Sequence, residues 1–262
     1  MNMQTTSTFD QIAQYQRDGF LAVPDFLDSS DLQTWRSVTD EAVAERLAQT
    51  GQGANADYYA QVFTQCINLR NSHAGMKELM TDARLGEAAG AFAGVDGLRL
   101  WHDQALIKGP YGNATSWHLD DPFWSFDSPD SISIWVALDD ATIENGCLWY
   151  LPETHRQARY DETSIGANMR DLFKQYPDWA QVKAVAAPVK AGSAVFHNGL
   201  VAHGAGANMT PGSRRAMTCA YMPDGSTFNG KQNVLPPEYI ASLQIGDVLN
   251  NDAVNPLVWR KS

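Results

Sequence analysis

The chain has 262 residues, 44% of them hydrophobic and 19% charged, a balance that fits a folded globule and excludes a disordered tail, a collagen-like fibre or a coiled coil. Its length suits one large domain or two small ones. Acidic side chains outnumber basic ones by 30 to 19, for a net charge of −11; such a surface repels phosphate backbones and anionic lipid, so neither nucleic acid nor a membrane is an expected partner.

Phe9 to Arg17 reads as a short helix that stops at Asp18-Gly19, and Phe20 to Val23 alternates toward Pro24 as a strand does. Ser29 or Ser30 is the expected cap of a long helix from Asp31 to Gln49. Its Leu32, Trp35, Ala42, Val43 and Leu47 fall on one stripe before Gly51 ends it. Gly51 to Asp57 is small and polar, the expected exposed loop, and a second helix follows from Met76 to Phe92 with a break near Asp82.

From Gly97 onward the segments are short, rich in Val, Ile, Trp and Tyr, and bounded by Gly, Pro, Asn and Asp, which predicts a β-sandwich or barrel. The predicted strands are Leu98–Ile107, Ser131–Leu138, Cys147–Leu151, Ala184–Val189, Ser193–His197 and Arg214–Met222. In the second of these, Ile132, Ile134, Val136 and Leu138 share one face and Ser133, Trp135 and Ala137 the other, so both faces are covered. There is no internal repeat. The expectation is a single domain over residues 1–262, with a mostly helical N-terminal layer over 1–96 against a β-core over 97–262. Cys66, Cys147 and Cys219 form no CxxC pair, the N-terminus lacks the apolar stretch of a signal peptide, and no apolar run approaches ~18 residues, which together point to a reducing cytoplasm.

The segment Ser116-Trp117-His118-Leu119-Asp120-Asp121 carries the first sign of chemistry. On a strand, positions i and i+2 point the same way, so His118 and Asp120 can aim an imidazole and a carboxylate at one point while Asp121 faces away. Two histidines and one carboxylate on adjacent corners hold Fe(II) and leave positions open for co-substrate and dioxygen. His203 is the natural third ligand. Arg214, at the start of a predicted strand, could pair bidentately with the far carboxylate of a metal-chelating dicarboxylate. Arg215 should face the opposite side. Trp117, Phe123 and Trp124 flank the HxD pair and are candidate walls of a substrate pocket, which would favour an apolar or ring-bearing substrate. His197 could sit beside the metal without binding it, whereas His73, His102 and His155 have no ligand-like neighbours.

The run from His118-Leu119-Asp120, through Ile134 to Thr142 and Glu144 to His155, to His203-Gly204-Ala205-Gly206-Ala207-Asn208 and Arg214-Arg215, resembles the phytanoyl-CoA dioxygenase family. The opening Tyr15-Gln16-Arg17-Asp18-Gly19-Phe20 is similar as well. The resemblance implies a mainly β (α+β) double-stranded β-helix, that is a cupin-like jelly roll, with flanking helices. It also implies Fe(II), 2-oxoglutarate and O2 as metal, co-substrate and oxidant. His118, Asp120 and His203 become the iron ligands, Arg214 the partner of the 2-oxoglutarate C5 carboxylate, and Trp135 a residue lining the co-substrate. Ala205 stands where members often have Ser, so a hydroxyl contact is lost or supplied elsewhere, and Arg70 lies near where some members place a basic contact. With Asp120 present the expected outcome is hydroxylation or a related oxidation of a small molecule rather than halogenation, with no obligate protein partner. The alternatives are a cupin-like metal-dependent hydrolase or isomerase using the same three ligands, which has no reason to keep a dicarboxylate anchor at Arg214, and a non-catalytic jelly-roll binding module.

Overall fold

The structure, a computed structural model, describes residue 3 and residues 7–50, 63–162 and 165–261. The expected exposed loop from Gly51 to Asp57 lies outside them.

Helix α1 (Phe9–Asp18) opens on Thr8, whose hydroxyl accepts from the Gln11 amide while the Gln11 side chain returns to the Thr8 N–H, and it closes at Gly19. Strand β1 (Phe20–Val23) follows directly. The long helix α2 (Ser29–Thr50) starts from a different residue than expected. Asp28, not a serine, accepts from the Asp31 amide at 2.8 Å, since a carboxylate one turn upstream reaches the same unpaired N–H groups and adds charge that suits the helix N-terminus. After β2 (Thr64–Ile67) come α3 (Ala74–Met80) and α4 (Ala83–Ala93), the expected second helix broken where Asp82 caps α4.

The β-core consists of β3 (Gly97–Lys108), β4 (Thr115–His118), β5 (Ile132–Ala137), β6 (Leu148–Tyr150), β7 (Val185–Ala187), β8 (Ala194–Asn198), β9 (His203–Ala205), β10 (Arg214–Pro223) and β11 (Leu257–Arg260). Two short helices, α5 (Asp171–Gln175) and α6 (Pro237–Ile240), lie in the connections. The strands form two antiparallel sheets, a major one ordered β1-β8-β5-β10-β3-β11 with β2 also on β3, and a minor one ordered β4-β9-β6-β7. From β3 to β6 and again from β7 to β10 sequential strands cross between the sheets, which is the jelly-roll arrangement. Two of the N-terminal strands, β1 and β2, extend the major sheet on β8 and β3, so the N-terminal third contributes strand edges as well as a helical layer.

Burial follows the alternation read from β5. Ile132, Ile134, Val136 and Leu138 pack toward Trp35, Met80, Leu85 and Phe92 of the helices, whereas Trp135 and Ala137 enter the cluster between the sheets with Leu148, Tyr150, Val195 and Ala216. A third cluster, containing Trp101, Trp124, Phe126 and Phe228, closes one end with the C-terminal segment. A fourth, containing Leu119, Leu172, Tyr176 and Trp179, joins α5 and the turn after it to the minor sheet. Among the described residues, no helix is long and apolar enough to cross a membrane.

Candidate metal and co-substrate site

His118 ends β4 and His203 begins β9, and the two are register partners with ring centroids 4.2 Å apart. Directly opposite residues of an antiparallel pair share a face, so both imidazoles lie on one side of the pair. Asp120 arrives by a different route than strand alternation. β4 has ended, and Asp120 sits at φ −85°, ψ −52° at the head of a tight turn over Asp121–Phe123. That turn is pinned because the amides of Asp120 and Asp121 both donate to the Gly199 carbonyl at 2.9 Å. Position 199 has to be glycine for this approach, since a Cβ there would lie 2.4 Å from Ser131 Oγ and 3.1 Å from Asp121 Cβ. The expected convergence of His118 and Asp120 is present, but the turn produces it. Asp121 points elsewhere and is fully buried, accepting from the Ser128 amide, and burial pushes its carboxyl up to about 8.

One ligand atom from each of His118, Asp120 and His203 lies within 4.8 Å of the others. Asp120 Oδ1 is 3.6 Å from His118 Nε2 and 3.7 Å from His203 Nε2. Each imidazole is oriented from behind. His118 Nδ1 lies 2.8 Å from the Ser116 carbonyl and His203 Nδ1 3.0 Å from the Val201 carbonyl. A carbonyl only accepts, so both Nδ1 atoms carry the proton and both Nε2 lone pairs face the cluster. Burial pushes both imidazoles down to about 4, the neighbouring His203 adding to the effect at His118. Burial alone would raise the Asp120 carboxyl. The His203 imidazole, the hydrogen bond from His197 and the His118 imidazole outweigh it and hold the carboxyl well below the usual carboxylate range. Neutral nitrogens and an ionised oxygen are the protonation states that a divalent metal takes up, so this donor set fits Fe(II).

His197 completes the arrangement without joining the triad. Its Nε2 is 3.3 Å from Asp120 Oδ2 and its Nδ1 3.1 Å from Tyr150 Oη. A carboxylate only accepts, so Nε2–H donates to Oδ2 while Nδ1 accepts from the Tyr150 hydroxyl. Tyr150 is itself clamped, stacked on Phe20 at 4.1 Å. One carboxylate oxygen is therefore tied to protein and the other is turned to the two imidazoles.

At the far end of the inter-sheet space lies Arg214, 3% exposed, its guanidinium carbon 5.1 Å from the Trp135 ring centroid. Its Nη2 donates to the Gly146 carbonyl at 3.1 Å, but Nε and Nη1 have no partner. Buried guanidinium N–H groups are normally satisfied, so a buried guanidinium with unpartnered Nε and Nη1 fits an anionic partner such as the terminal carboxylate of a dicarboxylate. Gly146 allows the close packing here: at φ +90°, a Cβ would lie 2.5 Å from the Gly206 carbonyl. Arg215 faces outward into an ion pair with Asp139 and another with Asp40, both at 2.7 Å.

Several neighbours were not legible in the sequence. Lys108 is the register partner of Arg214 and is fully buried; its ammonium donates to the carbonyls of Asn113 and Gly206 at 2.7 and 2.8 Å, and burial, with Arg214 adding to it, pushes its pKa down to about 7. A lysine two positions after Leu106 on an apolar strand face was the available signal. Thr218 is the register partner of Trp135 and Ser133 that of His197; both carry buried hydroxyls without a partner, where Ala205 offers none. Among the expected pocket walls, Trp124 is buried against Phe126 and stands edge-on to the His102 ring at 5.9 Å, and Phe123 is partly exposed at the Asp120 turn. Trp117 does not join them: it packs with Phe173 against the fourth cluster, because adjacent residues of β4 face opposite sides and His118 takes the inner one. His102 is buried, and burial pushes it down to about 4. Arg70 lies at the sheet edge, 3.6 Å from Asp103, away from Arg214.

Similarity to characterised proteins agrees with this geometry. The chain is 27% identical over 231 residues to a methylphosphonate hydroxylase from Gimesia maris, an alignment covering 84% of this chain and 82% of that protein. The non-heme alpha ketoglutarate dependent carbocyclase SnoK from nogalamycin biosynthesis superposes with a TM-score of 0.82 at 26% identity, covering 98% of both chains. The epimerase SnoN, solved with Fe3+, alpha ketoglutarate and nogalamycin RO, superposes at 0.76 with 25% identity, covering 95% of this chain and 97% of that one. Residues 15–216 match the model of the phytanoyl-CoA dioxygenase family, and the chain belongs to that family of Fe(II)- and 2-oxoglutarate-dependent oxygenases.

Proposed function

We propose that the protein hydroxylates a small organic substrate, apolar or ring-bearing where it meets the metal, with His118, Asp120 and His203 holding the iron and Arg214 holding 2-oxoglutarate. The observation that carries this reading is the combination of three convergent donors within 4.8 Å with a buried guanidinium that has two unpartnered N–H groups. When bound, iron and 2-oxoglutarate supply the means to activate dioxygen and oxidise a C–H bond.

The protein's own contribution is positioning. His118 and His203 present neutral Nε2 atoms, each fixed by a backbone carbonyl behind it. Asp120 supplies the negative charge, and His197 occupies its second oxygen, which favours binding through one oxygen and leaves room for the co-substrate. Arg214 forks onto the distal carboxylate and Trp135 covers its face. Phe123 and Trp124, on the turn that carries Asp120, serve as apolar walls that keep water from the reacting centre. A carboxylate at position 120 fills the corner a halide would need, which favours hydroxylation over halogenation. The likeness to a carbocyclase supports a second reading, in which the C–H bond is oxidised without retention of oxygen in the product. The hydrolase, isomerase and binding-module alternatives leave the unpartnered Nε and Nη1 of Arg214 unexplained. Three buried free thiols support placing the enzyme in a reducing compartment, the cytoplasm.

The deciding experiment loads the full chain anaerobically with Fe(II) and 2-oxoglutarate, then admits isotopically labelled dioxygen with a metabolite extract at high chloride. Succinate release matched by a product carrying one labelled oxygen supports hydroxylation. A product short of two hydrogens supports the second reading. Chlorinated product, or succinate release that needs neither iron nor 2-oxoglutarate, refutes the proposal.

A further inference from the structure

The turn that carries Asp120 is held at both ends, and the two holds come from different parts of the chain. Its front is pinned by the Gly199 carbonyl. Within it the Phe123 amide donates to the Asp120 carbonyl at 3.1 Å and the Trp124 amide to the Asp121 carbonyl at 2.9 Å, so residues 120–124 form one hydrogen-bonded unit. Its back rests on Asn229–Gln232, in a segment beyond the residues 15–216 that match the family.

Asn229 makes most of the contacts at the back. Its backbone N–H donates to the Ser125 carbonyl at 2.9 Å. Its side-chain nitrogen donates to the Trp124 carbonyl at 3.1 Å and to Asp127 Oδ1 at 2.7 Å, which uses both amide hydrogens. Its Oδ1 accepts from the Lys231 amide at 3.0 Å. The Lys231 ammonium donates to the Pro122 carbonyl, in the same turn, and reaches the Tyr160 carbonyl at 3.4 Å and Glu162 at 3.5 Å. The Ser125 hydroxyl adds a bond to the Gln232 carbonyl at 2.9 Å. This support is itself anchored, because Phe228 is buried in the cluster with Trp101, Trp124 and Phe126 and its amide donates to the Asp247 carbonyl at 2.8 Å.

We propose that Asn229 and Lys231 are positioning residues for the metal site, an inference that rests on the reading of Asp120 as a metal ligand. His118 and His203 are fixed by belonging to paired strands. Asp120 follows the end of β4, so its place depends on the turn and on His197. By holding the carbonyls of Pro122, Trp124 and Ser125, the two residues stop the turn from pivoting about its Gly199 end. That keeps Asp120 Oδ1 between the imidazoles and Trp124 in the apolar wall. Aspartate at position 229 would have no hydrogen for Trp124 and would set its charge against Asp127, and alanine would supply neither donor nor acceptor.

The test uses the full chain, with Co(II) as the probe because its visible absorption reports ligand geometry, and hydrogen exchange of the metal-free chain as a readout that needs no metal. In Asn229→Ala we expect Co(II) affinity to fall about tenfold, as when a group that orients a ligand is lost, with a changed visible band. The Phe123 and Trp124 amides should exchange faster while those of β3 and β10 stay protected. Asn229→Asp, which keeps the acceptor for Lys231 but not the donor, should lose at least as much. If Asn229→Ala does not fold, Lys231→Met decides: its side chain is partly exposed, Co(II) binding should weaken in the same direction, and Lys231→Arg should recover it. A folded Asn229→Ala with unaltered band and affinity overturns the proposal, whatever its unfolding temperature, as does an Asn229→Asp protein that matches the unaltered chain or, where Lys231→Met decides, unchanged Co(II) binding in that variant. Asp120→Ala separates this inference from the reading beneath it. If Asp120→Ala loses Co(II) and Asn229→Ala does not, the positioning role fails and the ligand assignment stands; if Asp120→Ala binds Co(II) as tightly as the unaltered chain, both fail.

Discussion

Replacing Arg214 with alanine tests the co-substrate assignment most directly. The guanidinium is almost fully buried and has one hydrogen bond, to Gly146; burial pushes its pKa down to about 10, so at neutral pH it is a charged group in want of an anion. Two free N–H groups can make two charge-assisted hydrogen bonds. Removing one partner of such a buried pair costs about 2 to 5 kcal/mol, which corresponds to roughly thirty-fold to several thousand-fold weaker binding. The assay is an anaerobic titration of the Fe(II)-loaded protein with 2-oxoglutarate, followed by the charge-transfer absorption of the chelate. Iron stoichiometry and thermal unfolding of the variant serve as controls. Arg214→Lys should recover part of the loss, because it restores the charge without the fork. Arg215→Ala breaks only the outward pairs with Asp139 and Asp40, and should leave 2-oxoglutarate affinity within about twofold, since partly exposed pairs contribute little. Unchanged affinity in Arg214→Ala, or a larger loss in Arg215→Ala, would refute the reasoning.

Three further outcomes follow from the same geometry. His118→Ala should abolish stoichiometric Fe(II) binding along with turnover, and a variant that retains one iron per chain would show that the ligand set is wrong. His197→Ala should weaken metal binding by about 10 to 100-fold, the usual effect of losing a group that orients a ligand, while His197→Gln, which can still donate to Asp120 Oδ2, should recover much of it; equal losses in the two variants would mean that His197 only fills space. Lys108 has its pKa lowered to about 7 in the fold, against ~10.4 in an unfolded chain, so its charge beside Arg214 is present below pH 7 and lost above it. Affinity for the dianionic co-substrate should therefore fall as pH rises through about 7 in the native protein and be flatter and weaker at pH 6 in Lys108→Met, as pH-resolved calorimetry can measure; parallel pH profiles would remove Lys108 from the co-substrate site.

By itself the sequence singled out the candidate residues of the site and much of the frame around them. Period-two alternation is a local property, so the two faces of β5 and the inward turn of Arg214 against Arg215 were readable from neighbouring residues, as were α1 and the break at Asp82. Three of the short strands were not. β2, β9 and β11 have three or four residues each, and they are strands because a partner on another part of the chain supplies their hydrogen bonds. Tertiary structure also decided how the chemistry is assembled. Asp120 meets His118 because a turn anchored on Gly199 brings it back, and His197 reaches Asp120 across 77 positions of sequence. Each of these depends on which strands lie side by side, and that choice is made by burial of the whole core rather than by any segment alone.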